Sequence, residues 1–482
     1  MEYVVVILQA VVVIGAIILG VRTGGLGLGL WGVVGTAILV FAFQLPPGDI
    51  PIDAFFIIIA VITASSAMQA AGGIDYLVSI ASKIIQANPK RLTYVAPIVA
   101  FVFTVLAGTS NIYFALIPII YETAYRNGQR PERALASSTV TSALGITASP
   151  VSAAMAAYLV LMDGTGYGLP QILAITIPAS IVACLATSVV QQRIGKELVK
   201  DPVFRKRVED HEVEIPAELE AQFAASGLGA AAATEAGAGS AGTDAPTTVA
   251  TSAKPAKIEH PVPPGGATAA WIFLSGTFLI VLFGLFSGLR PSFPDENGEL
   301  VPVGMSTIIQ MVMFTVALAI ILVRRVKPSA VVEQPLLRAG FVAAVALFGI
   351  AWMADTFIDA NTETIIAPLG ELIEQQPIWL AVALFLVAGL TTSQSATTNT
   401  LIPIALVAGL APGVITAMWP SLVGVWLFPA NGSQIAAVET DLTGSTKLTQ
   451  VPVWHSFTIP MLVSWVAVVA SGLLMQLIVP AG

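Results

Sequence analysis

The sequence predicts an all-α polytopic membrane protein built of two inverted-topology repeats, each with a re-entrant hairpin and a broken transmembrane helix. Three observations predict it. The chain is 56% hydrophobic and only 10% charged, with mean hydropathy +0.86. Apolar runs near the roughly 20 residues needed to cross a bilayer recur along it, and the two halves interrupt them in the same order. Lys and Arg gather on one side of these runs. Soluble domains carry about 25% charged residues, so a secreted enzyme or a coiled coil is excluded. A net charge of −8 leaves no basic stripe for nucleic acid. With one cysteine, Cys184, and His211, His260 and His455 far apart, neither a disulfide framework, a resident metal nor a cofactor is expected.

Residues 1–192 form the first repeat. Spans are expected at about 3–21 (read as a retained first helix), 26–44 and 52–71, followed by a polar stretch with Asp75, Lys83, Asn88, Lys90 and Arg91. Two short apolar pieces, about 92–107 and 112–125, flank Gly108-Thr109-Ser110-Asn111. Each is short for a crossing, so the pair (about 92–125) reads as a hairpin that enters and leaves on one side. A run from about 134 to 162 is broken at Thr147-Ala148-Ser149-Pro150, and a span follows at about 169–192.

Residues 193–267 begin basic, turn acidic, and from about 221 to 257 hold Ala, Gly, Ser, Thr and Pro with hardly a large apolar side chain. Such composition buries no core, so a flexible cytoplasmic linker is expected. The second repeat, 268–482, has spans at about 268–289, 302–323 and 338–354, then an acidic stretch opened by Asp355. Its hairpin (about 378–411) is interrupted at Ser393-Gln394-Ser395-Ala396-Thr397-Thr398-Asn399. Its broken helix (about 413–438) is interrupted at Pro429-Ala430-Asn431-Gly432-Ser433, and the last span is about 455–478.

An offset of 285 residues superposes Met68 on Met353, Ser110 on Ser395 and Leu116-Ile117-Pro118-Ile119 on Leu401-Ile402-Pro403-Ile404. With both termini outside, every Lys and Arg but Arg290 falls inside, as the positive-inside rule asks. The first half then starts outside and the second inside, which makes the repeat inverted, a plan common among transporters.

Non-helical backbone at membrane depth survives only where it is buried in protein or lines a cavity. The four interruptions are therefore the expected site: Thr109, Ser110 and Asn111; Thr147, Ser149 and Pro150; Ser393, Gln394, Thr397, Thr398 and Asn399; Asn431, Gly432 and Ser433. Half-helix N-termini there offer free N–H groups and partial positive charge to an anion. Asp355 is the candidate proton carrier, and carbonyls beside Asn111 and Asn399 are candidate Na⁺ ligands. The spans hold no cluster of His, Asp, Glu or Lys, so an enzyme is not expected.

Several runs resemble the anaerobic four-carbon dicarboxylate transporter family, itself similar in plan to the wider ion-transporter superfamily: Ser66-Ala67-Met68-Gln69-Ala70-Ala71-Gly72-Gly73-Ile74-Asp75-Tyr76-Leu77-Val78, Ala107-Gly108-Thr109-Ser110-Asn111, Ile146-Thr147-Ala148-Ser149-Pro150-Val151-Ser152-Ala153-Ala154, Asp201-Pro202 with Arg205-Lys206-Arg207, Ala351-Trp352 with Asp355-Thr356-Phe357, and Asp441 to Lys447. The resemblance implies a secondary transporter, an antiporter or a cation-coupled symporter, moving fumarate, succinate, malate and aspartate across the bacterial inner membrane. The alternative is a carrier of another small organic anion or an amino acid. Expected partners are the dicarboxylate, membrane lipid and co-transported H⁺ or Na⁺; the oligomeric state stays open, a homo-oligomer included. The chain departs from the family pattern in having Asn399 where a Lys is common, and Pro429-Ala430-Asn431-Gly432-Ser433 where Pro-Thr-Tyr-Pro-Thr is usual.

Overall fold

The computed structural model describes residues 2–23, 26–50, 52–213, 215, 262–294, 299–428, 431–448 and 453–481. The first half gives α1 (Glu2–Thr23), α2 (Gly27–Phe43), α3 (Ile52–Ala70), α4 (Gly73–Ala87), α5 (Leu92–Ala107), α6 (Ile112–Arg126), α7 (Pro131–Thr147), α8 (Ala153–Leu161) and α9 (Leu169–Gln191). A short α10 (Pro202–Glu209) follows. The second half gives α11 (Gly266–Leu285), a small antiparallel pair β1 (Ser292–Pro294) and β2 (Leu300–Pro302), α12 (Met305–Arg324), α13 (Pro328–Val332) and α14 (Pro335–Gln375). It ends with α15 (Ile378–Thr391), α16 (Gln394–Val407), α17 (Pro412–Met418), α18 (Gly432–Thr440) and α19 (Thr458–Met475).

Six helices among the described residues are long and apolar enough to cross a bilayer: Pro89–Ala107, α9, α11, α12, Pro335–Asn361 and α19. Counting the bent α3–α4 pair as one span makes seven. Helices suit these runs because lipid offers no partner to backbone N–H and C=O, and an α-helix satisfies both internally. Hydroxyls inside the spans are satisfied the same way: Thr63, Thr176 and Ser188 donate to carbonyls one turn back, at 2.7, 3.0 and 2.8 Å. The core lies where α5 and α7 pack together, with α9 against α19 and α3 against α12.

Several boundaries differ from the sequence expectation. The polar stretch after the third span is an amphipathic helix, α4, bent 72° from the preceding one, with Leu77, Val78, Ala81 and Ile85 buried. With the turn before it, α5 runs Pro89–Ala107, 19 residues, so this arm is not too short to cross. The acidic stretch from Asp355 continues α14, whose backbone leaves helical geometry at Asn361 (φ −124°, ψ 15°). Gln394–Asn399 are not an interruption: the break shrinks to Thr392-Ser393 and helix resumes at Gln394. The Ser393 side chain caps α16 by accepting from the Ala396 N–H at 3.2 Å, and Thr397 and Thr398 bond back to carbonyls four residues earlier. A Ser/Thr-rich string inside protein thus stays helical. The first broken helix interrupts at 148–152, one residue later than expected, since Thr147 is still in α7. The second changes earlier, into a 3₁₀ stretch at Trp419–Trp426. Pro429 and Ala430 lie outside the described residues.

The stretch expected as a flexible linker is folded at its start. Leu198 and Phe204 are fully buried, and Phe204 meets Tyr125 edge-on at 6.2 Å. Asp201 caps α10, accepting from the Val203 N–H at 2.8 Å. Burial alone would raise its pKa, but hydrogen bonds from Arg130 and Val203 and the nearby charge of Arg130 outweigh burial and hold the carboxyl below the usual range. The Ala/Gly/Ser-rich part, 216–261, lies outside the described residues.

Candidate functional site

A cavity of about 260 Å³ opens where four helix N-termini converge. Asn111 precedes α6, Ala153 and Ala154 begin α8, Ser393 caps α16, and Asn431 caps α18; all five residues line the cavity. Val61, Ile62 and Ser65 of α3 and Leu336 and Gly340 of α14 close another side. The first turns of these helices leave N–H groups without intrahelical partners, and each N-terminus carries about half a positive charge. No Lys, Arg, Asp or Glu is among the residues lining the cavity.

At the first tip, Gly108 sits at φ +69°, and a Cβ there would lie 2.5 Å from the Val151 carbonyl oxygen. Only glycine allows the chain to turn this close to the break between α7 and α8. Thr109 is buried and its Oγ1 accepts from the Asn111 N–H at 3.2 Å; Asn111 itself is exposed. At the second tip, the Gln394 amide donates to the Ala143 carbonyl at 3.1 Å, joining the second half to the first broken helix across the cavity wall. Asn431 and Gln434 form a capping box, and the Gln434 amide also donates to the Trp426 carbonyl at 2.9 Å.

Of the residues expected from sequence, Thr109, Ser110, Asn111, Ser393, Gln394 and Asn431 meet at this cavity. The others stand behind it. Thr147 donates to the Leu144 carbonyl, Ser149 to the Val105 carbonyl at 2.7 Å, and Pro150 is buried beside them. Thr397 is bonded to Thr391 and the Ser393 carbonyl. Thr398 accepts from the Trp419 indole at 2.9 Å. Ser433 is buried, and Gly432 lies against Phe114. Asn399 is 1% exposed, does not line the cavity, and neither amide atom has a hydrogen-bond partner. Asp355 is likewise absent from the lining: its carboxylate accepts from the Asp49 N–H at 2.5 Å, while Thr356 and Trp352 hold Gly48, so this turn of α14 anchors the chain after α2.

Sequence reasoning missed Ser65, Thr392 and Trp426, which also line the cavity, as does Ser395 of the second expected hairpin interruption. Ser65-Ser66 in the middle of an apolar run was the available signal for the first. Among the described residues no group of three His, Cys, Asp or Glu could hold a metal ion.

Comparison with known proteins identifies the family of the chain. Residues 5–480 match the profile of the family described as anaerobic C4-dicarboxylate membrane transporter. The chain belongs to this family. It is 34% identical over 461 residues to the anaerobic C4-dicarboxylate transporter DcuB of Escherichia coli O6:H1, covering 95% of each chain. It is 32% identical over 457 residues to the C4-dicarboxylate transporter DcuA of Wolinella succinogenes, covering 94% of this chain and 95% of that one. A solved structure titled as Neisseria gonorrhoeae MtrF, of a class of antimetabolite efflux pumps, is similar over 94% of this chain and 93% of that one, with TM-score 0.50 and 11% identity; that likeness concerns the fold alone. As a member of the anaerobic C4-dicarboxylate transporter family, the chain is a multi-pass transporter of the bacterial inner membrane and not an enzyme.

Proposed function

We propose that the chain is a secondary transporter that binds C4-dicarboxylates such as fumarate, succinate, malate and aspartate in this cavity. The observation that carries the reading is the convergence of four helix N-termini, with Asn111, Ser393, Gln394 and Asn431 among the lining and no charged side chain present. Several N-termini around one cavity suit a ligand with more than one carboxylate. The family relationship supplies the substrate class.

The two halves act as inverted repeats in this reading, with α5–α6 and α15–α16 as hairpins that enter and leave on one side and α7–α8 and α17–α18 as broken helices. Supporting it, Pro118 and Pro403 both lie inside the second arm of their hairpin, and Met68 of α3 and Met353 of α14, both fully buried, lie upstream of their hairpins. Alternating access moves the hairpin-bearing part against the rest. Without a side-chain cation the bound dianion stays under-compensated, and inward movement works against about 2.3 kcal/mol per charge per 100 mV. Uptake is therefore coupled to Na⁺ held by tip carbonyls near Asn111 or to protons, or it runs as anion exchange; Asn399, inside α16, offers no tip carbonyl.

Proteoliposomes loaded with succinate, with imposed Na⁺ or pH gradients, test the coupling. Full net uptake with neither gradient and no counter-substrate would sink the compensation argument. Losing a hydrogen bond to a charged group costs about 1.5–3 kcal/mol. Asn111→Ala and Asn431→Ala should each weaken succinate binding by roughly 10- to 150-fold; unchanged affinity in both removes the cavity from the site.

A further inference from the structure

Two runs singled out in the sequence, Asp201-Pro202 and Asp441 to Lys447, have no task in the cavity. They meet at Arg130, which is 6% exposed. Its guanidinium donates to Glu132 at 2.5 Å, to Asp201, to the Lys196 carbonyl at 3.3 Å and to the Ser445 carbonyl at 3.4 Å. The Glu132 N–H donates to Ser445 Oγ at 3.1 Å, and Ser456 Oγ donates to the Glu132 carboxylate at 2.5 Å. Asp441 folds the second-half loop that presents Ser445, accepting from the Thr446 N–H and from Ser445 Oγ, each at 2.7 Å. Arg207 adds a bond to the Leu442 carbonyl at 2.8 Å. Gly195, at φ +70°, lets the chain after α9 pass against the Arg130 side chain, where a Cβ would collide with it. Three distant segments are thus joined at one buried arginine.

Both broken helices reach this cluster. α7 starts at it and ends on the cavity, where Ala143 and Ile146 form wall and the Ala143 carbonyl holds Gln394. α18 starts on the cavity at Asn431 and ends at Asp441. At 1.5 Å per residue, Ala143 lies about 18 Å along α7 from its start, so a tilt of only about 3° at the cluster moves it by about 1 Å.

We infer that Arg130, Glu132 and Asp201 are positioning residues for transport: they clamp the outer ends of α7 and α18 so that the two sides of the substrate cavity keep their spacing and travel as one body through the cycle. The inference rests on the cavity being the substrate site. It also makes the folded stretch after α9 part of the transport machinery.

Two experiments in proteoliposomes test it, both in a Cys184→Ser background. Asp201→Asn keeps the shape of the side chain and removes its charge from Arg130. The expected result is a KM for succinate raised about 10-fold, of the order of one hydrogen bond to a charged group, with Vmax per folded transporter unchanged. Arg130→Gln should give a similar rise, and the double variant no further one. A cluster that only stabilises the fold would lower the amount of active protein and leave KM alone. In the second experiment, Glu132→Cys with Ser445→Cys is compared reduced and oxidised. The reduced form should show the raised KM that follows from losing Glu132, and the oxidised form should transport at least as fast, because these ends stay together; arrest on oxidation with recovery on reduction overturns the inference. Asn431→Ala run in parallel separates the two failures. If it and Asn111→Ala, run beside it, both leave KM unchanged, the cavity reading fails. If it raises KM while Asp201→Asn does not, the clamp alone fails.

Discussion

Asn399→Leu should make this protein more stable and a worse transporter. Asn399 sits in the second turn of α16, 1% exposed, and both its amide nitrogen and its amide oxygen lack a partner. A buried polar group left without a hydrogen bond costs about 1–3 kcal/mol, and Asn399 has two such atoms. Leu has the same branching at Cγ and no polar atom. Overpacking from its two methyls takes back about 1–3 kcal/mol, so taking the middle of each range a net gain of about 2 kcal/mol remains. Neighbouring residues show that the site is otherwise well satisfied: Thr398 is bonded at both its donor and acceptor, and Thr400 donates to the Ala396 carbonyl at 2.8 Å. Under the proposed function, Asn399 is expected to act in another state of the cycle, when substrate or a coupling cation reaches it. The midpoint of thermal unfolding in detergent should therefore rise, while succinate uptake driven by a Na⁺ or pH gradient should fall by roughly 10-fold or more, as for loss of one charged hydrogen bond. A variant that is no more stable shows that the orphaned amide is satisfied in the folded protein. One that is more stable and transports normally shows that Asn399 has no part in transport.

Three further outcomes are expected. Burial lowers the pKa of His455 despite its bond to the Leu427 carbonyl, so the folded protein holds it neutral, with Nδ1 accepting from the Phe457 N–H at 3.2 Å. The unfolded chain then binds more protons below its pKa of about 6.5, so stability is full above that pH and is lost as pH falls through 6.5 toward the folded value; His455→Gln should flatten the unfolding midpoint between pH 7 and 5, and an unchanged slope refutes the assignment. An impermeant thiol reagent on right-side-out cells should label a cysteine at Gly482 and not one at Ser240, in a background lacking Cys184; the reverse pattern overturns the orientation. Deleting about 222–256 should leave succinate affinity unchanged, whereas removing Asp201–Glu209 as well should raise KM; a well-expressed but transport-dead deletion of 222–256 alone shows a function in that stretch.

What the sequence determined by itself was whatever is local and periodic. Apolar runs bounded by Arg22, Pro46-Pro47 or Gly108 became helices within a few residues of their expected ends, because lipid leaves the backbone no other way to satisfy itself. The residue types of the site were legible for the same reason: Thr109, Ser110, Asn111 and Asn431 stand out as polar, turn-forming residues where apolar sequence should continue. What the sequence could not give was which polar residues face each other. Thr147, Ser149, Thr397 and Thr398 look the same in one dimension as Asn111 and Ser393, but Thr147 and Thr397 spend their hydroxyls on carbonyls one turn back, and Ser149 and Thr398 bond a carbonyl and an indole that only packing brings near. Ser65 and Trp426 reach the cavity because α3 and the 3₁₀ stretch pass beside it, which no spacing rule encodes. The stretch after α9 read as the start of a tether, since charged sequence next to Ala and Gly carries no periodicity. Its fold depends on Arg130, 71 residues away from Asp201, and on a loop of the other half that presents Ser445. Tertiary structure decided those points because a buried charge is stable only where several distant segments supply its partners together.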